Sequence, residues 1–338
     1  MKLYIYNSIP DKFFDVGPNN LHEIFSGPTL LRIKGAAEPP LFLATLLHGN
    51  EPTGFLAVQK LLQKYQNGKN NLPRSLVIFF GNVGAAMENR RHLRQQPDFN
   101  RIWSGGDQPE QVMAQDVINT LKETGAFACI DIHNSSGKNP HHVIVNKMEP
   151  VFINLARLFS KDIAYFTHPK EALQMAFSEI CPTVTLEGGQ PDDPYGVEHV
   201  LEYLEKILHL NSIPEGHPVE DDGMKLYHSM ASIKVPRKSQ VGFNGNSQGK
   251  DFCFIENLDS LNFTQLPENT LIGWRFNPDL NLIVINENGQ DVMDEFITYN
   301  ENEILLRRSV VPSMLTTSPE MVYQDCLGYL METQKLPE

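Results

Sequence analysis

The tightest constraint on this chain is Leu41 to Gln59, LFLATLLHGNEPTGFLAVQ, where an apolar run stops at His48-Gly49-Asn50-Glu51 and a helical pattern follows at once. Leu41 to Leu47 reads as a buried strand, and Phe55, Leu56, Val58, Leu61, Leu62 and Tyr65 recur at helical spacing. Pro52 suits the first turn of that helix, where its missing N–H is not needed. A strand that gives way so abruptly to a helix selects an α/β fold, and such strand-to-helix turns are where open α/β sheets gather ligands. An imidazole nitrogen and a carboxylate oxygen on one tight turn are two natural donors for Zn2+.

Spacing alone decides nothing, because HxxE recurs at His168/Glu171, His199/Glu202 and His217/Glu220. His199 and Glu202 lie in the helical stretch VEHVLEYLEKILHL and read as solvated or partly packed side chains. The His168 pair flanks Pro169 in a loop-like segment, and the His217 pair falls in PEGHPVEDDG, a linker-like stretch. Only His48 and Glu51 follow a buried strand.

Further strand-like runs are Lys2 to Tyr6 and Thr29 to Ile33, at one sheet edge, then Ser75 to Phe80, Ala126 to Ile132, His142 to Val145 and Pro182 to Leu186. Helical patterns cover Glu110 to Glu123, Val151 to Ser160, Glu171 to Glu179 and Tyr195 to Leu210. Two of the strands end on chemistry: Ala126 to Ile132 at His133-Asn134, and Pro182 to Leu186 at Glu187. A parallel sheet brings such ends to one edge, where His48, Glu51, His133 and Glu187 converge. Asp131, two residues before His133, shares its strand face and can hold the distal imidazole nitrogen. His141 and His142 open a strand and read as non-ligands. Beyond Asn211 the pattern changes to short strand-like runs, KDFCFI, TLIGWRF, LNLIVIN and EILLRRSV, with a hairpin turn at Glu287 to Gln290. The expected domains are therefore residues 1–212, α/β, and 213–338, smaller and mainly β.

Composition removes whole classes of function. With 28 basic against 41 acidic residues the formal charge is −13, which argues against nucleic acid and basic membrane-surface binding. Cys129, Cys181, Cys253 and Cys326 form no CxxC pair, so buried, reduced thiols in a cytoplasmic protein are expected, and neither a signal peptide nor a membrane span is apparent. In such an acidic chain Arg90, Arg91, Arg94 and Arg101 stand out. Arg90 and Arg94 read as solvated loop residues.

Two imidazoles and one carboxylate are a standard catalytic zinc set, leaving Glu187 free to move protons and an arginine to face a developing oxyanion. The reaction class is metal-assisted amide hydrolysis. Taken in order, His48-Gly49-Asn50-Glu51, Gly81-Asn82 through Arg90-Arg91 to Asp98-Phe99-Asn100-Arg101, Asp131-Ile132-His133-Asn134 and Thr185-Leu186-Glu187-Gly188-Gly189 resemble the succinylglutamate desuccinylase/aspartoacylase family of the zinc carboxypeptidase superfamily.

The resemblance implies a zinc-carboxypeptidase-like mixed sheet flanked by helices, with a smaller β-rich domain that narrows substrate access. It implies one zinc per chain on His48, Glu51 and His133, Glu187 as general acid/base, Arg91 at the scissile carbonyl, and Asn100 and Arg101 on the substrate carboxylate. The implied partner is a small N-acyl amino acid or a short peptide, with a homo-oligomer open. Aspartoacylases carry a further arginine shortly before the catalytic glutamate. Here Arg157 is the one arginine between Ile102 and Leu186, so an aspartyl or succinyl acyl group is not expected. No catalytic tyrosine is matched; Tyr227 and Tyr299 are the candidates. A carboxypeptidase and a non-catalytic binding module on a hydrolase scaffold are the alternative readings.

Overall fold

The structure, a computed structural model, describes residues 1–66, 71–217, 223–243 and 249–335. The chain divides into two compact units, one of residues 1–134 and 141–224, the other of residues 135–140 and 225–336. Of the linker-like stretch PEGHPVEDDG, residues 218–222 lie outside the described residues, and Glu220 of the His217/Glu220 pair with them.

The first unit holds strands β1 (Tyr4–Tyr6), β2 (Thr29–Ile33), β3 (Ala37–Thr45), β4 (Arg74–Phe80), β5 (Ala128–His133), β6 (His142–Val145), β7 (Asp162–Tyr165) and β8 (Thr183–Glu187). Their order across the sheet is β1-β2-β4-β3-β5-β8-β6-β7. Neighbours among β4, β3, β5 and β8 run parallel, whereas β2 on β4 and β6 on β8 are antiparallel, so the sheet is mixed. The helices are α1 (Thr53–Gln66), α2 (Val83–Met87), α3 (Pro109–Thr124), α4 (Pro150–Arg157), α5 (Leu173–Phe177) and α6 (Pro194–Leu208).

Both sheet faces are covered, which is why the central strands read as unbroken apolar runs. On one face Phe42 and Phe79 pack with Trp103, Met113, Val117 and Phe177; on the other, Phe80 meets Phe13, Phe25 and Phe55. β3 ends two residues earlier than its apolar run, because Leu46 takes a left-handed conformation (φ 56°) that turns the chain out of the sheet. α5 is a five-residue helix, shorter than the pattern Glu171 to Glu179 predicts.

The second unit is mainly β. One group of strands pairs β9 (Lys225–Lys234) with β13 (Ile283–Asn286) and β17 (Gly328–Gln334), and β17 with β16 (Val311–Ser313), all antiparallel. A five-stranded sheet runs β10 (Val241–Phe243), β11 (Phe252–Phe254), β12 (Leu271–Arg275), β15 (Glu303–Leu306), β14 (Ile297–Asn300). Phe252, Phe254, Ile272, Phe296, Ile304 and Leu330 are among the buried core side chains of this unit. The predicted turn after β13 closes through the Gly289 N–H donating to the Asn286 carbonyl at 3.0 Å. No helix among the described residues is long and apolar enough to cross a membrane.

Candidate metal centre

Three adjacent parallel strands, β3, β5 and β8, deliver the polar groups to one sheet edge. After β3 the Glu51 N–H donates to the His48 carbonyl at 3.2 Å, a tight turn that sets His48 Nδ1 2.8 Å from Glu51 Oε1. Gly49 makes the turn possible: its N–H donates to the Arg91 carbonyl at 3.2 Å, and a Cβ there would lie 2.1 Å from the Ala86 nitrogen. Any side chain would drive the turn off α2.

At the end of β5, His133 Nδ1 lies 2.7 Å from Glu51 Oε2, and the Asn134 N–H donates to the same oxygen at 3.3 Å. His48, Glu51 and His133 are all buried, and each offers a ligand atom within 4.8 Å of the others. Each imidazole turns its far nitrogen to a carboxylate: His48 Nε2 lies 3.0 Å from Asp98 Oδ1, and His133 Nε2 lies 3.0 Å from Asp131 Oδ2. Such outer carboxylates fix the ring orientation of metal-ligating histidines.

The charges fit a divalent cation. Glu51, Asp98 and Asp131 bring three carboxylates against the two imidazoles, with the Arg91 guanidinium on Glu51 and Asp98. Asp131 is fully buried, and neither of its oxygens meets a hydrogen-bond donor in good geometry. Without an ion, protons must balance the cluster. Burial disfavours charge on His133, but Asp131 and Glu51 outweigh it and lift the imidazole well above its ordinary range. His48 is raised against burial and Arg91 by Glu51 and Asp98. Burial would raise the acids, yet the imidazoles hold Glu51, and His48 with Arg91 holds Asp98, well below the usual carboxylate range.

Glu187 ends β8, is buried, and is the register partner of His133 on β5. Strand partners share a face, so this carboxyl sits one strand across from the imidazole. Arg91 is buried against the cluster: Nη2 is 2.9 Å and Nε 3.0 Å from Asp98 Oδ2, and Nη1 is 3.8 Å from Glu51 Oε1. Arg90 and Arg94 are exposed. Asn100 and Arg101 sit in a single 3-10 turn, Phe99–Arg101, capped by Asp98 Oδ1, which accepts the Asn100 N–H at 2.7 Å. Asn100 Oδ1 in turn accepts the Leu173 N–H at 3.0 Å, which leaves its Nδ2 donor as the end that suits a carboxylate. His141 and His142 stand outside the donor cluster, as do His168 and His199. Tyr299 is held in the second unit, its hydroxyl accepting the Leu282 N–H at 2.9 Å beneath Arg275. Tyr227 packs edge-on to Phe263, also in that unit.

Two residues at the cluster carry no role in the sequence reading. Asp98 joins His48, Arg91 and the Asn100 turn; its signal is an acid placed as an N-cap, but its histidine is 50 residues away. Asn134 accepts the Thr53 N–H at 3.2 Å and donates to Thr53 Oγ1 and the Gly189 carbonyl at 2.8 and 3.0 Å, tying α1 to the loop after Glu187.

Residues 37–190 match the succinylglutamate desuccinylase/aspartoacylase catalytic domain family. No curated protein matches the sequence. Among solved structures, the chain is similar to succinylglutamate desuccinylase from Chromobacterium violaceum, at 17% identity over 90% of this chain and 87% of that one, TM-score 0.57. It is similar to a succinylglutamate desuccinylase/aspartoacylase from Rhodobacter sphaeroides, at 15% identity over 90% and 89%, TM-score 0.62. Murine aminoacylase 3 aligns at 15% identity over 88% and 97%, TM-score 0.52. At these identities the likeness establishes a shared fold.

Proposed function

We propose, from the match of residues 37–190 to the succinylglutamate desuccinylase/aspartoacylase catalytic domain family, a zinc-dependent amidohydrolase that removes the acyl group from an N-acyl amino acid or similar small amide. The observation that carries the reading is the convergence of His48 Nδ1, His133 Nδ1 and the Glu51 carboxylate, each ring backed by a second carboxylate. These three residues would hold one zinc ion, whose bound-state contribution is Lewis acidity toward a carbonyl and toward water near neutral pH.

The protein's own groups do the rest. Glu187 accepts a proton from the attacking water and returns one to the leaving amine. Arg91, braced by Asp98, meets the carbonyl oxygen as it gains negative charge. Asn100 Nδ2 and Arg101 hold the amino-acid carboxylate. With Arg157 on α4 the one arginine between Ile102 and Leu186, no guanidinium shortly before Glu187 awaits a second carboxylate, so the acyl group is uncharged. Four buried cysteines outside any disulfide suit a reducing, cytoplasmic setting.

The deciding experiment is amine release from a panel of N-acyl amino acids and short peptides, before and after chelation and zinc restoration. Chelator-sensitive release from N-acetyl-type substrates supports the proposal. Release from peptides alone would make the protein a carboxypeptidase, and no release from either by zinc-loaded protein would overturn a hydrolytic role.

A further inference from the structure

Apart from the candidate metal centre, the first unit contains a second linked set of titratable side chains. His141 Nδ1 lies 2.8 Å from His199 Nδ1, His141 Nε2 lies 3.1 Å from Asp193 Oδ2, and His199 Nε2 lies 2.9 Å from the Phe159 carbonyl oxygen. The two imidazole planes are 22° from parallel with centroids 5.0 Å apart, as when two rings meet edge to edge through their nitrogens. The Phe159 ring stacks on His199, with centroids 4.1 Å apart.

Counting protons fixes the charge of this set. A carbonyl oxygen only accepts, so His199 Nε2 carries a hydrogen. The Asp193 carboxyl is held below its ordinary value: slight burial is outweighed by the His141 hydrogen bond and the Tyr195 N–H, so it too accepts, and His141 Nε2 donates. The Nδ1 to Nδ1 contact needs one hydrogen more. Two neutral imidazoles own two N–H groups between them, and this network uses three, so the pair carries one positive charge.

The network bears directly on the loop that follows Glu187. Gly189 is left-handed (φ 82°), and a Cβ on it would lie 2.7 Å from His141 Nε2 and 2.8 Å from Asp193 Oδ2. Its backbone therefore rests on the His141–Asp193 bond, while its carbonyl accepts from Asn134 Nδ2. We infer that His141 and His199 share one proton, and that with Asp193 they are positioning residues for the loop from Glu187 to Asp193, whose hold weakens when that proton leaves. The inference goes beyond the deacylase reading, and its test needs no turnover.

The direction follows from the surroundings. Burial, then the neighbouring His141, pushes His199 below its ordinary value, with the Phe159 carbonyl and Glu202 opposing and Lys206 assisting. Glu198 on α6 is engaged by Lys60 of α1, and Lys161 and Asp162 follow Phe159 in the chain. The phenol of Tyr203, on α6 with its ring edge to Phe159, donates to the Leu155 carbonyl. His199 thus holds a proton less firmly than an isolated histidine, and the shared proton departs as pH rises.

The test is a pH series from about 5 to about 8 on the full-length protein, zinc-loaded and metal-free, spanning the histidine range. It reads the ring nitrogen resonances of His141 and His199 and hydrogen exchange at the Gly188 and Asp193 amides, which donate to the His133 and Gln190 carbonyls. We expect three ring protons on the pair at the acid end. We also expect at least about a tenfold loss of protection at these amides as the pair deprotonates, beyond the intrinsic rate. His199→Phe keeps a stacked ring and should give low protection without a pH step, with His199→Gln as the second variant and β5 amides as the control for folding. Independent neutral titration of the two rings, protection that is flat with pH in the natural protein, or a pH step that persists in both variants would each overturn the inference.

Discussion

Asp98 shows how much one carboxylate can coordinate. It supports His48, grips Arg91 and caps the turn carrying Asn100 and Arg101. Asp98→Asn is expected to weaken zinc binding by about 10- to 100-fold, as for other partners of ligating histidines, and to lower kcat/KM further by loosening Arg91. Competition titration against a zinc chelator, alongside steady-state kinetics, checks both effects. Glu187→Gln separates chemistry from binding: zinc stoichiometry by atomic absorption should stay at the natural protein's level while kcat falls by about 100- to 10,000-fold. Normal turnover in that variant would refute the acid/base assignment. His48, Glu51 and His133 stood out in the sequence as donor types because they close or follow apolar strand runs. Asp98 could not, because its connections are spatial and the segment around it is irregular.

Among the elements, the turn between β3 and α1 is built on close approach. Gly49→Ala would push a methyl carbon into the backbone of α2, so a loss of about 1–3 kcal/mol in urea unfolding is expected, together with poor zinc retention. Cys129 and Cys181 lie inside the first unit, where burial lifts the first thiol well above its ordinary value and pushes the second up to about 12. Neither should react with a thiol reagent near pH 8 until the protein is unfolded, which a timed absorbance assay reads. β3, β4, β5 and β8 were legible because strands covered on both faces need continuous apolar residues. β9 was not: Lys-Leu-Tyr-His-Ser-Met-Ala-Ser-Ile-Lys buries the small residues Ser229 and Ala231 and leaves Met230 partly exposed, so its ten residues give only a faint apolar alternation. α5 fell short of its pattern, with the Asn100 side chain holding the amide of its first residue, Leu173.

At the scale of the whole molecule, metal binding and stability are linked. In the metal-free state the raised imidazoles His48 and His133 add stability that is full below their unfolded value of 6.5 and is lost as pH climbs through their higher folded values. Depressed Glu51 and Asp98 contribute above the ordinary carboxylate range and lose that contribution as pH falls through their folded values. Zinc requires neutral imidazoles, so its advantage grows in the alkaline direction. The gap in melting temperature between zinc-loaded and chelated protein should widen from about pH 6 to about pH 8. Free zinc at about 100 times its Kd should add about 2.7 kcal/mol. A gap that narrows with rising pH would contradict the ligand set.

The chain's excursion at residues 135–140 has a consequence in time. These six residues lie between His133 and His141, yet they group with the second unit. Their anchors are made late: Asn262 Nδ2 donates to the Lys138 carbonyl across 124 positions, and the Met314 N–H donates to Asn139 Oδ1 across 175. A ribosome working at about 5–20 residues per second therefore leaves this stretch waiting on the order of ten seconds for its partners. The chain can lay down β5 early, but residues 135–140 gain these two anchors only after Asn262 and Met314 have been made.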